Sequence, residues 1–176
     1  MTAGAQTTCE LEDGTEELFA VSDNCGHSYQ LPLFENATGW STKVLDGDTL
    51  VGQVQCLKQG EALFLADLHV LEAATHPIQG LAQVKAWLGF DTHGRIESYR
   101  NRGLGSALLC FVLGRAGEQG FQRVTGRLAP IDLKENPMLP DWYRHRGFQV
   151  TMAANQLAGE LEMVLKQAKQ KTPEIR

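Results

Sequence analysis

The stretch from residue 99 to residue 113 constrains the fold of this chain most. It reads YRNRGLGSALLCFVL, so a Gly-Leu-Gly turn runs directly into an apolar helix. Glycines at such a junction let the backbone turn tightly and approach a ligand, and the first helical amides have no intrahelical partner. The helix dipole adds partial positive charge at the same end. The junction is therefore predicted to bind a phosphate or diphosphate, with Arg100 and Arg102 supplying charge, unless the turn serves packing alone.

Length, composition and charge narrow the class of protein. A chain of 176 residues with 43% hydrophobic residues suits one domain with a sizeable core. The net charge of -5 and the pI near 5.5 argue against nucleic acid or an anionic membrane as the main partner. No apolar run approaches the ~20 residues that span a bilayer, and the polar N-terminus does not resemble a signal peptide. The sequence therefore predicts a cytoplasmic protein.

The four cysteines give no sign of a metal site or a disulfide framework. They lie at positions 9, 25, 56 and 110, and no two of them form a Cys-x-x-Cys pair. Cys56 and Cys110 lie inside apolar patterns, where a buried thiol behaves as a small hydrophobic side chain. No metal is expected.

The N-terminal part of the chain is predicted to contain strands. Residues 17–22 fit either a short strand or a helical turn, and residues 28–34 fit extended chain that Pro32 restricts to a sheet edge. Residues 36–41 are rich in Asn, Thr and Gly and are predicted to form a loop.

A clearer antiparallel meander follows the loop. Residues 49–57 and 62–71 are predicted to be neighbouring strands joined by a short turn. The second strand is apolar enough to be buried on both faces, which places it near the sheet centre. Residues 72–98 then form a long excursion with a predicted amphipathic helix at 78–90, typical of a lid or an interaction element.

The C-terminal half alternates helices and strands. A strand, a helix and a second strand in succession favour a parallel crossover, so the predicted class is α+β with a mixed sheet. The predicted elements are a helix at 103–118, a strand at 121–128, a loop at 130–137, a helix at 138–146 that Gly147 ends, and an antiparallel pair at 148–152 and 160–165.

Three motifs give residues 63–165 a resemblance to the GNAT superfamily of acyl-CoA-dependent N-acyltransferases. The family's [Q/R]-x-x-G-x-[G/A] turn matches the segment from Arg100 to Gly105, and its hydrophobic-x-Val strand end matches Leu68-His69-Val70. Its N-x(6)-Y-x-x-x-G-F pattern matches Asn136 and the segment from Tyr143 to Phe148. The order and spacing of all three motifs make the resemblance more specific than any one of them.

The resemblance implies a fold and a domain organisation. We expect a GNAT-like mixed, mostly antiparallel sheet with a central splayed parallel pair flanked by helices. Residues 1–176 would form a single acyltransferase domain, with 72–98 as an insertion before the turn and 166–176 as a tail. The chain departs from the family in that insertion, and in an N-terminal region too short for the two helices that usually follow the first strand.

The resemblance also implies acetyl-CoA as the cosubstrate. Backbone amides of residues 102–106 would hold its diphosphate, and an amide of the central strand near Val70 would polarise the thioester carbonyl. Asn136 would contact the CoA arm, or would instead be the N-cap of a helix that starts near Pro137. The residues predicted to bind the cofactor are Leu68, Val70, Arg100, Arg102, Gly103, Leu104, Gly105, Ser106 and Asn136.

Three side chains are predicted to be catalytic. Tyr143 matches the family's general acid, and a phenol with a pKa of about 10 stays protonated at neutral pH until a thiolate needs its proton; alternatively, it only packs. His69 and Asp67 share a strand face because they are two residues apart, so either could accept the amine proton. A histidine in an apolar strand is also often a hydrogen-bonded core residue. Glu72 and Asp132 are weaker base candidates.

The predicted function is acetyl transfer from acetyl-CoA to a primary amine of a small molecule or peptide, in a ternary complex. Direct transfer of this kind depends mainly on positioning the two reactants. The alternative is a non-catalytic acyl-CoA-binding sensor, or an interaction module that acts through residues 72–98. A homodimer is left open by the sequence.

Overall fold

The computed structural model describes residues 14–76, 95–99 and 101–165. Within these residues the chain forms ten strands and three helices. The strands are β1 Thr15–Ser22, β2 Ser28–Glu35, β3 Gly39–Asp46, β4 Thr49–Gln59, β5 Ala62–Val70, β6 Ala73–His76, β7 Arg95–Ser98, β8 Arg123–Leu128, β9 Gln149–Met152 and β10 Gly159–Val164. The helices are α1 Leu104–Glu118, α2 Pro130–Glu135 and α3 Leu139–Arg144.

Eight strands make one mixed sheet in the order β1-β2-β3-β4-β5-β8-β10-β9. Every neighbouring pair is antiparallel except β5 and β8, which are parallel. Helix α1 packs its apolar side chains, Leu108 and Val112 among them, against one face of this sheet. The predicted α+β class, the meander of β4 and β5, the central position of β5 and the parallel crossover are all confirmed.

The N-terminal strands differ from the prediction at one position. Pro32 does not lie at an edge, because β1 covers the outer side of β2. The pairs between β2 and β3 leave out Leu31 and Pro32, and the Thr42 hydroxyl donates to the Pro32 carbonyl at 2.9 Å. A proline inside a sheet is thus tolerated where the ladder is locally interrupted. The predicted loop at 36–41 is also shorter, since β3 begins at Gly39.

Residues 130–137 were predicted as loop, and that prediction is wrong for most of the segment. Pro130 occupies the first turn of α2, and the Asp132 carboxylate accepts a hydrogen bond from the Ala129 amide at 2.8 Å. The N-cap alternative for Asn136 is wrong as well. Asn136 ends α2, and its carbonyl accepts a bond from the Leu139 amide, while Met138 precedes α3.

The excursion begins and ends in a separate two-stranded ribbon. Strands β6 and β7 pair antiparallel, and the Tyr99 amide donates to the Glu72 carbonyl at their base. The helix predicted at 78–90 and the tail at 166–176 lie outside the described residues. None of the helices in the described ranges is long and apolar enough to cross a membrane.

Candidate functional site

A bulge in β5 separates the two parallel strands. Cys56 of β4 pairs with Leu65 of β5, whereas Gln55 pairs with Asp67, so Ala66 is an extra residue in β5. Bulges bend a strand and increase its twist. Strand β5 pairs with β8 from Ala62 to Leu65, and in the described part of the chain no pair joins them beyond that point. A gap therefore opens between the C-terminal halves of β5 and β8.

A cavity of about 270 Å³ lies at this gap. Its walls come from the second half of β5, the end of β8, helices α2 and α3, and Gly105 in the first turn of α1. Many of the predicted site residues meet here: Asp67, Leu68, His69, Val70, Gly105, Asp132, Asn136 and Tyr143. Residues far apart in the sequence thus converge where the sheet splays.

The bulge decides which way the side chains of β5 point. Asp67 and His69 pair with Gln55 and Gln53 on the exposed face of the sheet, and the Gln53 amide donates to the Asp67 carboxylate at 2.6 Å. Leu68 occupies the opposite face and packs against the core. Asp67 and His69 therefore share one face, as predicted from their spacing.

The backbone of β5 offers donors to the gap. The Leu71 amide donates to the Val51 carbonyl of β4 at 2.8 Å. Because successive amides of a strand point in opposite directions, the amides of Leu68 and Val70 point away from β4, toward the side where β8 has diverged. Such amides can bind an extended ligand or polarise a carbonyl group.

Tyr143 is buried in the wall of the cavity. Its side chain is 6% exposed, and its ring makes edge contacts with Trp142 at 4.8 Å and Phe148 at 5.3 Å between centroids. Burial, reinforced by the carboxylates of Asp132 and Asp67, raises the pKa of Tyr143 to about 12. The phenol therefore keeps its proton at neutral pH.

The turn before α1 requires glycine at one position. Gly103 has a φ of 78°, and a Cβ atom there would lie 2.5 Å from the Asn24 side chain. The amides of Ser106 and Ala107 both donate to the Gly103 carbonyl at 3.0 Å, so the Ser106 amide is already engaged. The Leu104 and Gly105 amides precede these bonds at the start of the helix, where amides lack intrahelical partners.

Arg102 connects the turn to a buried N-terminal carboxylate. Its guanidinium lies 2.7 Å from Glu97 and 3.9 Å from Asp23, and it stacks 5.4 Å from the centre of the Tyr99 ring. The Asn24 amide also donates to the Arg102 carbonyl at 2.8 Å. The charge of Arg102 is thus shared with carboxylates of this chain. Arg100, its predicted companion, lies outside the described residues.

Asp23 is the centre of this N-terminal cluster. Its carboxylate accepts bonds from the Tyr29 hydroxyl at 2.9 Å and from the Cys25 and His27 amides at 2.8 and 3.0 Å. Burial alone would raise the pKa of Asp23, but these bonds and the charge of Arg102 hold it below its ordinary value. Sequence reasoning missed Asp23, since nothing local marks a contact with residue 102.

Arg146 is a second residue that the sequence analysis missed. Its guanidinium lies 3.9 Å above the Trp142 ring, donates to the Trp142 carbonyl at 2.9 Å and also donates to the Ser106 hydroxyl. It therefore joins α3 to the first turn of α1. Its place between Tyr143 and Gly147 in the third motif was the available signal.

The weaker base candidates differ in position. Asp132 lines the cavity, but its carboxylate also accepts the Ala129 amide at the start of α2. Glu72 lies at the base of the ribbon, where its carbonyl accepts the Tyr99 amide and, at 3.3 Å, the Ser98 hydroxyl. In the described ranges, no group of three or more His, Cys, Asp or Glu side chains could hold a metal ion.

Comparison with known proteins shows the fold. No family model matches the sequence, and no curated protein matches it. The structure is similar to that of a candidate acyl-CoA N-acyltransferase of Klebsiella pneumoniae, with a TM-score of 0.50 and 13% identity over 73% of this chain and 74% of that chain. The predicted GNAT fold is thereby confirmed.

Two further solved structures are similar at lower scores. One is the ribosomal-protein-S18-alanine N-acetyltransferase of Escherichia coli, with a TM-score of 0.47 and 11% identity over 78% of this chain and 76% of that chain. The other is an acetyltransferase of Bacillus subtilis in complex with CoA, with a TM-score of 0.48 and 14% identity over 73% of this chain and 78% of that chain.

Proposed function

We propose that this chain is a GNAT-type N-acetyltransferase that transfers the acetyl group of acetyl-CoA to a primary amine in a ternary complex. Residues 1–176 would act as a single domain. One observation carries the proposal: the cavity at the β5–β8 gap has the buried, protonated Tyr143 in one wall and the start of α1 at its rim. A thioester in this gap would have a diphosphate anchor and a proton donor within one site.

The turn before α1 would hold the CoA diphosphate. The amides from Arg102 to Gly105 are the donors, and the positive end of the helix dipole adds to their attraction. The sequence motif adds the Arg100 side chain and the Ser106 hydroxyl as further groups that would bind the diphosphate. The pantetheine arm would then lie along β5, where the amides of Leu68 and Val70 point into the gap and Asn136 faces them from α2.

The reaction needs one nucleophile and two proton transfers. The neutral amine nitrogen attacks the thioester carbonyl carbon, the carbon–nitrogen bond forms, and the carbon–sulfur bond breaks. The amide of Val70 stabilises the negative charge on the carbonyl oxygen. Tyr143 donates its proton to the departing CoA thiolate, and the nitrogen loses its extra proton to a base. The products are the N-acetylated amine and CoA; Tyr143 is then reprotonated and the base releases the proton that it took from nitrogen, so no net proton is consumed.

Asp67 and His69 are the proposed bases. Both face the open side of the sheet, so an amine that enters from that side meets them before it reaches the thioester. The hydrogen bond from Gln53 holds the Asp67 carboxylate in a fixed orientation. Either residue can take the proton directly or through a water molecule.

A non-catalytic acyl-CoA sensor or interaction module is the second candidate. The ribbon of β6 and β7, which is not hydrogen-bonded into the main sheet, supports it, because such a ribbon can present the insertion to a partner protein. The enzyme and the sensor both require acetyl-CoA binding, and only the enzyme requires turnover.

Replacing Tyr143 by Phe separates the two candidates. Loss of the acid should lower kcat by about 10²- to 10⁴-fold, while the dissociation constant of CoA stays within about twofold, since the hydroxyl acts on the leaving group. Steady-state rates with a primary amine and calorimetric titration with CoA measure the two effects. Wild-type protein that binds CoA but acetylates no amine would favour the sensor, and undiminished turnover by Tyr143→Phe would remove the assigned acid.

A further inference from the structure

A second and larger cavity adjoins the proposed transfer site. It measures about 540 Å³, which is within the range of small-molecule pockets. Helix α2 contributes to both cavities, because Pro130 lines the second and Asp132 lines the first. The walls of the second cavity come from the end of β8, the start of α2 and the β9–β10 hairpin. Most of the lining is apolar or small: Leu128, Ala129, Pro130, Met152, Ala153, Ala158 and Gly159.

The two cavities meet at Arg127 and Leu128, which line both of them. Glu160, the other charged residue of the second cavity, is the ladder partner of Arg127 on the neighbouring strand. The charged part of the second cavity's lining therefore lies beside the transfer site, and the rest of that lining is apolar or small apart from Thr151. This polarity matches a ligand with one polar end at the junction and an apolar body beyond it.

Exposed hydrophobic side chains flank the same region. Ile131, next to Pro130 in α2, is 56% exposed, and Leu157, next to Ala158 in the hairpin, is 59% exposed. These two side chains add apolar surface close to the apolar lining of the cavity.

The geometry points to an acceptor class: a primary amine whose apolar body, an unbranched alkyl or arylalkyl group, fills the second cavity while its nitrogen lies at the Arg127 junction. The inference rests on the proposed function, since it assigns the acceptor of that reaction. Beyond the junction the lining is apolar or small apart from Thr151, so it offers no carboxylate to an acceptor that carries several positive charges.

The test is a series of acceptors that differ only in apolar length. Wild-type protein is assayed with acetyl-CoA and n-butylamine, n-hexylamine and n-octylamine, with ethanolamine and spermidine as polar and polycationic comparisons. Each buried CH₂ contributes about 0.8 kcal/mol, so kcat/KM should rise by about fourfold per methylene until the cavity is full. Ethanolamine and spermidine should be poor acceptors.

Two variants and a matched control test whether the dependence of kcat/KM on chain length arises in the second cavity. Ala158→Trp fills the cavity and should cancel the dependence on chain length, whereas Ala154→Trp adds the same side chain in the same hairpin at a position that does not line the cavity. Met152→Gln keeps the side-chain length and adds polarity, so it should weaken the dependence even if Ala158→Trp folds poorly. CoA affinity, measured by calorimetry, should be the same in all three variants.

The outcomes separate this inference from the proposed function. Acetyl transfer with equal kcat/KM along the amine series, or a preference for spermidine, would overturn the acceptor class and leave acetyl transfer standing. A length dependence that survives both Ala158→Trp and Met152→Gln would place the apolar body elsewhere. Absence of transfer to every amine would overturn both the acceptor class and the proposed enzyme.

Discussion

Gly103 combines two constraints at the start of α1. Its φ of 78° costs an L-residue about 1–2 kcal/mol, and an added Cβ would lie 2.5 Å from the Asn24 side chain. Gly103→Ala should therefore lower the free energy of unfolding by at least this backbone cost, and it should also weaken CoA binding because the turn must shift. Urea unfolding and calorimetry measure the two effects.

Gly120 provides the control for this substitution. It has the same φ of 78°, lies beyond the other end of α1, and has no atom within 4 Å of an added Cβ. Gly120→Ala should show the backbone cost with unchanged CoA affinity. Equal CoA affinity in the two variants would mean that the Gly103 turn does not hold the cofactor.

Residues that the motifs specify were predictable, whereas residues that act through tertiary contacts were not. The spacing of the third motif predicted Tyr143, and the structure places it in the same cavity as Val70. The contact of Asp23 with Arg102 joins positions 79 residues apart, with no pattern in the sequence to link them. Arg146 was overlooked because its stacking on Trp142 depends on where α3 ends.

Helix α1 is anchored at both ends by buried or partly buried carboxylates. At its N-terminal end Asp23 holds the turn through Arg102. At its C-terminal end Glu35 accepts bonds from Lys58 and Arg115, both at 2.7 Å, and from Gln119. The two clusters resemble each other in chemistry, but only the first contacts the proposed diphosphate site.

The carboxylates of Asp23 and Glu35 should both stabilise helix α1, but only Asp23 should affect ligand binding. Asp23→Asn and Glu35→Gln should each lower the free energy of unfolding by about 1–3 kcal/mol, since each weakens bonds of a carboxylate. Only Asp23→Asn should also weaken acetyl-CoA binding, by about tenfold or about 1.4 kcal/mol. Thermal melts and calorimetry on both proteins check this. A loss of CoA affinity in Glu35→Gln as large as in Asp23→Asn would show that the effect is general destabilisation.

Elements with strong periodicity were predicted well, and elements set by tertiary contacts were not. The apolar run of α1 and the alternation in β4 reproduce the observed elements closely. Helix α2 was missed because six residues carry too little periodicity and its start depends on the Asp132 carboxylate. The bulge at Ala66 has no sequence signature, although it opens the gap on which the site depends.

The buried tyrosines make the stability of the whole molecule sensitive to alkaline pH. Burial raises the pKa of both Tyr143 and Tyr29 to about 12, and burial with a hydrogen bond to Asp46 raises that of Tyr99 as well. In the unfolded chain these groups titrate near pH 10. Between about pH 10 and about pH 12 the unfolded state therefore binds fewer protons than the folded state, and stability falls as pH rises.

Urea unfolding between about pH 10 and about pH 12 tests whether stability falls as pH rises and whether the tyrosines cause the fall. The free energy of unfolding should be insensitive to these tyrosines below about pH 10 and should decline above it. The free energy of unfolding of Tyr143→Phe should decline less steeply, because this variant lacks one of the tyrosines whose pKa is raised by burial. Stability that holds constant or rises above about pH 10 would contradict the burial of these hydroxyls.

The proposed transfer site lies where the parallel strands β5 and β8 of the mixed sheet part. Binding of acetyl-CoA to the folded protein is tested by calorimetric titration, together with the melting temperature. We expect saturable heat at one site per chain and a rise in melting temperature, with about 2.7 kcal/mol of added stability at a hundredfold excess over Kd. No heat and no shift in melting temperature would contradict a CoA site at the start of α1.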